Sequence, residues 1–190
     1  MRITGGRLRS RRLDAPAGGL TRPTSDRVRE ALFSVLAHHI DLTGAAVVDV
    51  FAGSGALGFE AISRGADHAF LLEESRAALR TIAENAKSLG VENQVTIVPG
   101  DALRTVGRGT LRRAVRVAFF DPPYAQIGTP AFQRLLETFH ETVPIESDAL
   151  LVVEHRAKDS VALPRGCTLI EDRSWGDTGI CVFCRDMPGA

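Results

Sequence analysis

The sequence predicts an α/β fold: a seven-stranded, mostly parallel sheet that ends in an antiparallel hairpin and follows a small basic extension. Three observations predict it. Short apolar runs alternate with longer segments of helical periodicity between residues 26 and 153, and that alternation builds parallel sheets from β-α-β units. The first apolar run opens directly into a glycine-rich turn and then a helix. The last two runs have no helical segment between them, so they pair as an antiparallel hairpin.

With 190 residues, 44% hydrophobic and 24% charged, the chain can bury a core of ordinary domain size. The expected division is a basic arm over residues 1–21 and one domain over residues 22–190. No apolar run approaches the roughly 18 residues needed to cross a bilayer. The start, Met1 to Gly6, lacks the apolar stretch of a signal peptide. A soluble cytoplasmic monomer is the expectation. Net charge is zero, yet residues 1–30 hold eight arginines and only three acids. A basic cluster of that kind reads as a phosphate-contacting patch, and the candidates are Arg7, Arg9, Arg11, Arg12, Arg22 and Arg27.

The elements follow in order. Residues 2–13 alternate roughly around Gly5-Gly6 and read as a short hairpin or arm, followed by a Gly/Pro-rich loop from Ala15 to Leu20. Thr24-Ser25-Asp26 starts a helix whose inner face is Val28, Ala31, Leu32, Val35 and Leu36. Ala45 to Phe51 is the first strand, Ala52 to Gly58 its turn, and Ala56 to Ser63 a helix. Ala69 to Leu72 is the second strand, ending at Glu73-Glu74. Ser75 caps a helix with Leu79, Ile82, Ala83, Ala86 and Leu89 inward and Gly90 as its stop. Val95 to Val98 is the third strand. Residues 102–114, with Arg104, Arg108, Arg112 and Arg113, read as a mobile basic connection, solvated or in contact with RNA. Val115 to Phe120 is the fourth strand, a nearly continuous apolar run as in a sheet buried on both faces. Thr129-Pro130 opens a helix carrying Phe132, Leu135, Leu136 and Phe139. Ala149 to Val153 is the fifth strand, and Cys167 to Ile170 and Gly179 to Phe183 are the last two, joined by Glu171 to Thr178. Trp175 is expected to be a core residue of that hairpin.

Two stretches carry chemistry. Asp121-Pro122-Pro123-Tyr124 ends the fourth strand, because the prolines forbid its continuation. A carboxylate and the Pro122 carbonyl are both acceptors, so they suit an amino group with two N–H donors. The Tyr124 ring suits a flat owner of that amine, such as a nucleobase. Gly53-Ser54-Gly55-Ala56-Leu57-Gly58 fits G-x-G-x-x-G after a strand and before a helix, which taken alone favours a dinucleotide cofactor. Gly58 would allow close helix–strand packing. Asp49 lies within the first strand, and Glu73 and Asp101 stand at the ends of the second and third. Three cysteines and five histidines show no paired metal spacing. Cys181 and Cys184 face opposite sides of a strand, so no metal is expected.

These residues resemble a known group. Asp49-Val50-Phe51-Ala52-Gly53-Ser54-Gly55, Glu73, Asp101 and Asp121-Pro122-Pro123-Tyr124 look like the ordered motifs of class I S-adenosylmethionine-dependent methyltransferases that modify planar amines. The stretch Arg22 to Phe33, together with Phe51 to Gly58, resembles the bacterial 16S rRNA guanine-N2 methyltransferase family, over essentially the whole chain. Asp121 stands where many amine methyltransferases carry Asn.

The resemblance implies S-adenosylmethionine as cofactor, held by Asp49, Phe51, Gly53, Ser54 and Gly55, with Glu73 (or Glu74, if the strand runs one residue further) at the ribose and Asp101 and the Ala102 backbone at the adenine. It implies Asp121, Pro122, Pro123 and Tyr124 as the catalytic loop and 16S rRNA, free or within a small subunit, as partner. Rival readings are a DNA adenine-N6 methyltransferase, a non-catalytic RNA-binding assembly factor and, more distantly, a nicotinamide-dependent dehydrogenase.

Overall fold

The computed structural model describes residues 1–16, 25–106 and 111–186, with only the backbone of His140. The expectations placed on Ala17 to Leu20, on Arg22 to Thr24 and on Arg108 therefore lie outside the described residues.

Seven strands form one sheet in the order β3-β2-β1-β4-β5-β7-β6. They are β1 (Ala46–Asp49), β2 (His68–Glu73), β3 (Val95–Pro99), β4 (Val115–Phe120), β5 (Ile145–Arg156), β6 (Cys167–Trp175) and β7 (Thr178–Arg185). The first five pair in parallel, and β7 runs antiparallel to both β5 and β6. The helices are α1 (Asp26–His39), α2 (Ala56–Ser63), α3 (Arg76–Leu89), α4 (Ala102–Thr105) and α5 (Pro130–Thr142). None of the described helices is long and apolar enough to cross a membrane.

Local chemistry sets the helix ends. Ser25, Ser75 and Thr129 accept hydrogen bonds from the amides of Val28, Ala78 and Phe132 at 3.2, 3.4 and 3.2 Å, satisfying first-turn donors that have no partner inside the helix. Gly90 stops α3 in the left-handed region at φ +72. The core has two layers. Leu32 and Phe33 of α1, Leu57 and Phe59 of α2 and Ile82 of α3 cover one face of the sheet. Phe132, Leu136 and Phe139 of α5 cover the other, with Phe120 edge-on to Phe139 at 5.1 Å.

Four expectations are corrected. Residues 102–105 form the short helix α4, because Asp101 caps it by accepting from the Leu103 amide at 2.8 Å. Ala83 is exposed and Asn85 is buried in its place, since Asn85 has polar partners inside. Strand β5 runs on to Arg156, beyond Val153. Glu171 to Trp175 continue β6 instead of forming a loop, and only Gly176-Asp177 turn the chain back. That polar run folds as a strand because β6 is the sheet edge, where most side chains meet solvent.

The N-terminal residues form a small hairpin. Arg2 bridges Arg12, the Ile3 amide donates to the Arg11 carbonyl at 3.0 Å, and the Ser10 amide donates to the Ile3 carbonyl at 2.9 Å. Ile3, Leu8 and Leu13 are buried in the core layer beneath α1 and α2. The hairpin is thus packed against the domain through its apolar side chains and presents its arginines outward.

Candidate active site

β1 and β4 are neighbours, and the chain departs from them to opposite sides of the sheet. In an open α/β sheet such a switch point opens a crevice at the C-terminal strand ends. Asp49 pairs with Phe119 across the β1–β4 ladder. The two turns that follow, Val50 to Gly55 and Asp121 to Tyr124, consequently stand side by side.

The first turn is built by its glycines. The Ala52 amide donates to the Leu72 carbonyl at 2.9 Å, and the Gly55 amide donates to Ala52 at 2.6 Å. Gly53 and Gly55 adopt φ +55 and +81, a region that costs an L side chain dearly. A Cβ on Gly55 would lie 2.5 Å from the Phe59 ring, and one on Gly58 would lie 2.4 Å from Leu71. The close approach of α2 to β2 that the spacing suggested for Gly58 is the packing found.

Glu73 ends β2 and fastens this turn. Its Oε2 accepts from the Gly53 amide and its Oε1 from the Ser75 amide, each at 2.8 Å. A carboxylate offers about four acceptor positions, so capacity remains for hydroxyl donors. Glu74 is exposed. The Gly100 amide donates to the Glu73 carbonyl at 2.9 Å, which ties Asp101 at the end of β3 to the same rim. Ala102 is buried behind it, and half-buried Phe51 packs on Phe132 from β1's side.

Ser54 is also fixed. Its carbonyl accepts from Asn85 Nδ2 at 3.0 Å, and Asn85 in turn exchanges hydrogen bonds with the Asp14 backbone at 2.9 and 3.0 Å. Its hydroxyl reaches the Met1 sulfur at 3.3 Å. One asparagine therefore links the glycine turn to the N-terminal hairpin. Asn85 escapes the sequence reading, although a polar residue at an inward helical position is the signal that marks it.

Asp49 is 1% exposed, and its carboxyl is pushed up to about 8. Burial is the main cause, followed by the charge of Asp121, with Glu73 adding to it; the Gly58 and Phe51 amides donate to Asp49 and oppose the rise. Its Oδ1 has no hydrogen-bond partner among the described residues. A buried acceptor left over beside two further carboxylates suits a cationic ligand. An ammonium or sulfonium group fits that chemistry.

On the second turn, Tyr124–Gln126 make one turn of 3-10 helix in which Gln126 and Ile127 donate to the Pro123 and Tyr124 carbonyls at 2.8 and 3.3 Å. The turn leaves the Pro122 carbonyl out of its own bonding. Pro122 is buried, Pro123 exposed, and Asp121 and Tyr124 half-buried. The Arg156 guanidinium lies over the Tyr124 ring at 5.0 Å. Phe120 pairs with Val153, so Glu154 and Arg156 at the end of β5 come level with this turn. The sequence reading missed both by ending the fifth strand early; its acid, like those ending the second, third and fourth strands, was the available signal.

Among the basic candidates, Arg7, Arg9, Arg11 and Arg12 are exposed on the hairpin and Arg27 on α1, while Arg22 lies outside the described residues. Arg7 bonds Gln94, and Arg11 bonds the Ser88 carbonyl. Arg104 and Arg113 face acids, Asp101 at 3.7 Å and Asp67 at 2.7 Å. Arg29, counted in the basic segment, is fully buried instead.

The sheet also gathers a triple that chain spacing hides. His155, Asp172 and Cys181, on three strands, each bring a ligand-type atom within 4.8 Å of the others. His155 Nδ1 lies 2.8 Å from the Arg156 carbonyl, which can only accept, so Nδ1 carries the proton. Nε2 lies 3.4 Å from the Cys181 sulfur. Burial and then Asp172 push that thiol up to about 11. Cys181 and Cys184 do pack on opposite faces of the sheet.

Sheet order, glycine turn and strand-end acids define a Rossmann-like methyltransferase. More particularly, the chain belongs to the family described as Conserved hypothetical protein 95, whose sequence model matches residues 1–184. It is 32% identical over 191 residues to Ribosomal RNA small subunit methyltransferase D of Escherichia coli (strain K12), covering 100% of this chain and 92% of that one. A hypothetical protein of Thermus thermophilus has a solved structure that superposes with a TM-score of 0.75 at 31% identity, over 96% of this chain and 98% of that one. An RNA methyltransferase from Salinibacter ruber, solved with S-adenosyl-L-homocysteine, shares the fold at a TM-score of 0.65 and 15% identity, over 89% and 98% of the two chains.

Proposed function

We propose that the protein transfers a methyl group from S-adenosylmethionine to the exocyclic N2 amine of a guanine in small-subunit ribosomal RNA. The observation that carries this reading is the adjacency of two turns. The first follows Asp49, whose buried Oδ1 has no partner among the described residues and suits a cation. The other presents an acid, a carbonyl and an aromatic ring, at Asp121, Pro122 and Tyr124. Relatives named as small-subunit ribosomal RNA methyltransferases support the choice of RNA.

Asp49 and the Gly53–Gly55 backbone would hold the amino-acid end of the cofactor, Glu73 its ribose hydroxyls, and Asp101 with the Ala102 backbone its adenine. Bound there, S-adenosylmethionine supplies a methyl group on a cationic sulfur that leaves readily. Asp121 and the Pro122 carbonyl accept the two N–H bonds of the amine. That grip turns the nitrogen lone pair out of conjugation with the ring and holds it in line for attack. Tyr124 stacks on the base. As nitrogen gains its new carbon its proton becomes acidic and passes to Asp121 or to water, so Asp121 need not be a strong base. The preorganised carboxylate also stabilises the developing positive charge. Arg7, Arg9, Arg11, Arg12 and Arg27 supply phosphate contacts around the site.

The test is transfer of labelled methyl groups to naked 16S rRNA, assembled small subunits and DNA side by side, followed by nucleoside mass spectrometry. N2-methylguanosine from an RNA substrate is the expected product. N6-methyladenine in DNA, or no S-adenosylmethionine binding by calorimetry, overturns the reading.

A further inference from the structure

Beside the strand-end crevice lies a cavity of about 670 Å³, lined by Ser25, which caps α1, by Val28 of α1, by Tyr124, the end of β5 and the β6–β7 turn. Its size falls within the roughly 300–1,000 Å³ typical of small-molecule sites. Tyr124 forms the wall that it shares with the amine-binding turn. Trp175 lines it too, half-buried and packed against the core layer under α1. Arg156 and Lys158, both exposed, line it as well, with Glu154 and Asp177. The expectation that Trp175 is a hairpin core residue describes only half of its surface.

We propose that this cavity binds the nucleotide next to the methylated guanine in a single-stranded RNA segment, with Trp175 as its stacking platform and Arg156 and Lys158 as its phosphate partners. The inference rests on the reading of the protein as an RNA methyltransferase and extends it to the neighbouring nucleotide. The chemistry of the walls matches the parts of a nucleotide. An aromatic face accepts any base by stacking. The cations match a phosphate, arginine by its planar fork and lysine as a point charge. Arg156 has a second duty, because its guanidinium lies on the Tyr124 ring at 5.0 Å and so stands at the boundary between the two base sites. There it joins the phosphate linking two nucleotides to the ring that stacks the first. Gly176 turns the hairpin at φ +62, and this two-residue turn keeps Trp175 and Thr178 directly paired beside the cavity that both line.

The chain has one Trp and one Tyr, and both line this cavity, so intrinsic fluorescence reports it without labelling. A guanosine-containing RNA trinucleotide should quench Trp175 emission in the S-adenosylhomocysteine-loaded protein, whereas free guanosine should do so much less. Arg156→Gln and Lys158→Gln, exposed changes that spare the core, should each weaken that quenching about fivefold. Trp175→Leu should raise KM for rRNA about tenfold, the scale of one lost base stack, with cofactor affinity unchanged. Quenching without any methyl transfer leaves the cavity assignment standing and removes the proposed activity. Methyl transfer with no quenching, and with wild-type KM in all three variants, overturns the cavity assignment and leaves the activity.

Discussion

Arg29 Nε lies 3.3 Å from Glu60 Oε2 with both side chains fully out of solvent, and the pair locks the N-terminal hairpin to α1 and α2. Glu60 also accepts from the Thr4 amide and hydroxyl at 2.8 and 2.7 Å, from the Gly5 amide at 2.8 Å and from Arg64 at 2.8 Å. Arg29 further bonds the Arg2 carbonyl and Asp26. Removing one partner of a buried pair costs about 3–5 kcal/mol; without Glu60, Arg29 would keep only half-exposed Asp26 as a counter-charge, and the Thr4 and Gly5 donors would lose their acceptor. Glu60→Ala should therefore lower the free energy of unfolding by about that amount in urea titrations, while the exposed change Glu74→Ala should leave it within about 0.5 kcal/mol. A Glu60→Ala protein of unchanged midpoint would show that the hairpin docks by its apolar side chains alone.

The amine clamp predicts a split between binding and chemistry. Asp121→Ala should lower kcat by about 10²–10³, the usual loss for one preorganised electrostatic partner, and leave S-adenosylmethionine affinity nearly intact. Asp121→Asn keeps one acceptor oxygen and should retain more activity than the alanine variant. Equal losses in the two variants would mean that charge, rather than amine orientation, is what Asp121 contributes.

The buried Asp49 carboxyl makes stability and cofactor binding depend on pH in opposite senses. Its folded pKa is raised to about 8 from an ordinary value of 3.8. Between those values the folded chain holds a proton that the unfolded chain has released, so this group's stabilisation is full below about pH 4 and is lost as pH rises toward 8. A cationic ligand favours the ionised carboxylate, so its affinity should grow over the upper part of that range. Calorimetric titration of S-adenosylmethionine between pH 6 and 9 should show tightening and a proton released on binding at the lower pH. Asp49→Asn should flatten both trends; an unaltered pH profile in that variant would assign them to another group.

Much of this was legible because local rules decided it. The five β-α-type runs, the serine and threonine caps and the glycine turn are each dictated by residues within a few positions, and their spacing sufficed to place Glu73 and Asp121 at strand ends and Asp49 in the first strand; that the first strand stops at Asp49 and lies beside the fourth came only from the fold. What stayed hidden depends on contacts far apart in sequence. Arg29 looks like one more surface arginine until Glu60, 31 residues on, supplies its counter-charge. Asn85 looks like a break in an apolar face until Ser54 and Asp14 occupy its amide. Edge position let Glu171 to Ser174 form a strand without apolar alternation, and the early end assigned to the fifth strand hid Glu154 and Arg156 from the site.

The basic hairpin gives the last prediction, and its docking dictates how to test it. Deleting residues 1–13 would strip Ile3, Leu8 and Leu13 from the core and so confound folding with binding. Arg9 and Arg12 are exposed, and replacing both by Gln leaves that packing in place. Each phosphate contact on a single strand contributes about 0.7 to the slope of log affinity against log salt. The Arg9→Gln/Arg12→Gln protein should bind rRNA more weakly at low salt, with a slope shallower by about 1.4 if both arginines meet phosphates, and should bind S-adenosylmethionine as before. An unchanged slope, measured between about 50 and 200 mM salt as such titrations require, would return these arginines to the solvated surface and shift the RNA footprint toward Arg27 and the β6–β7 side.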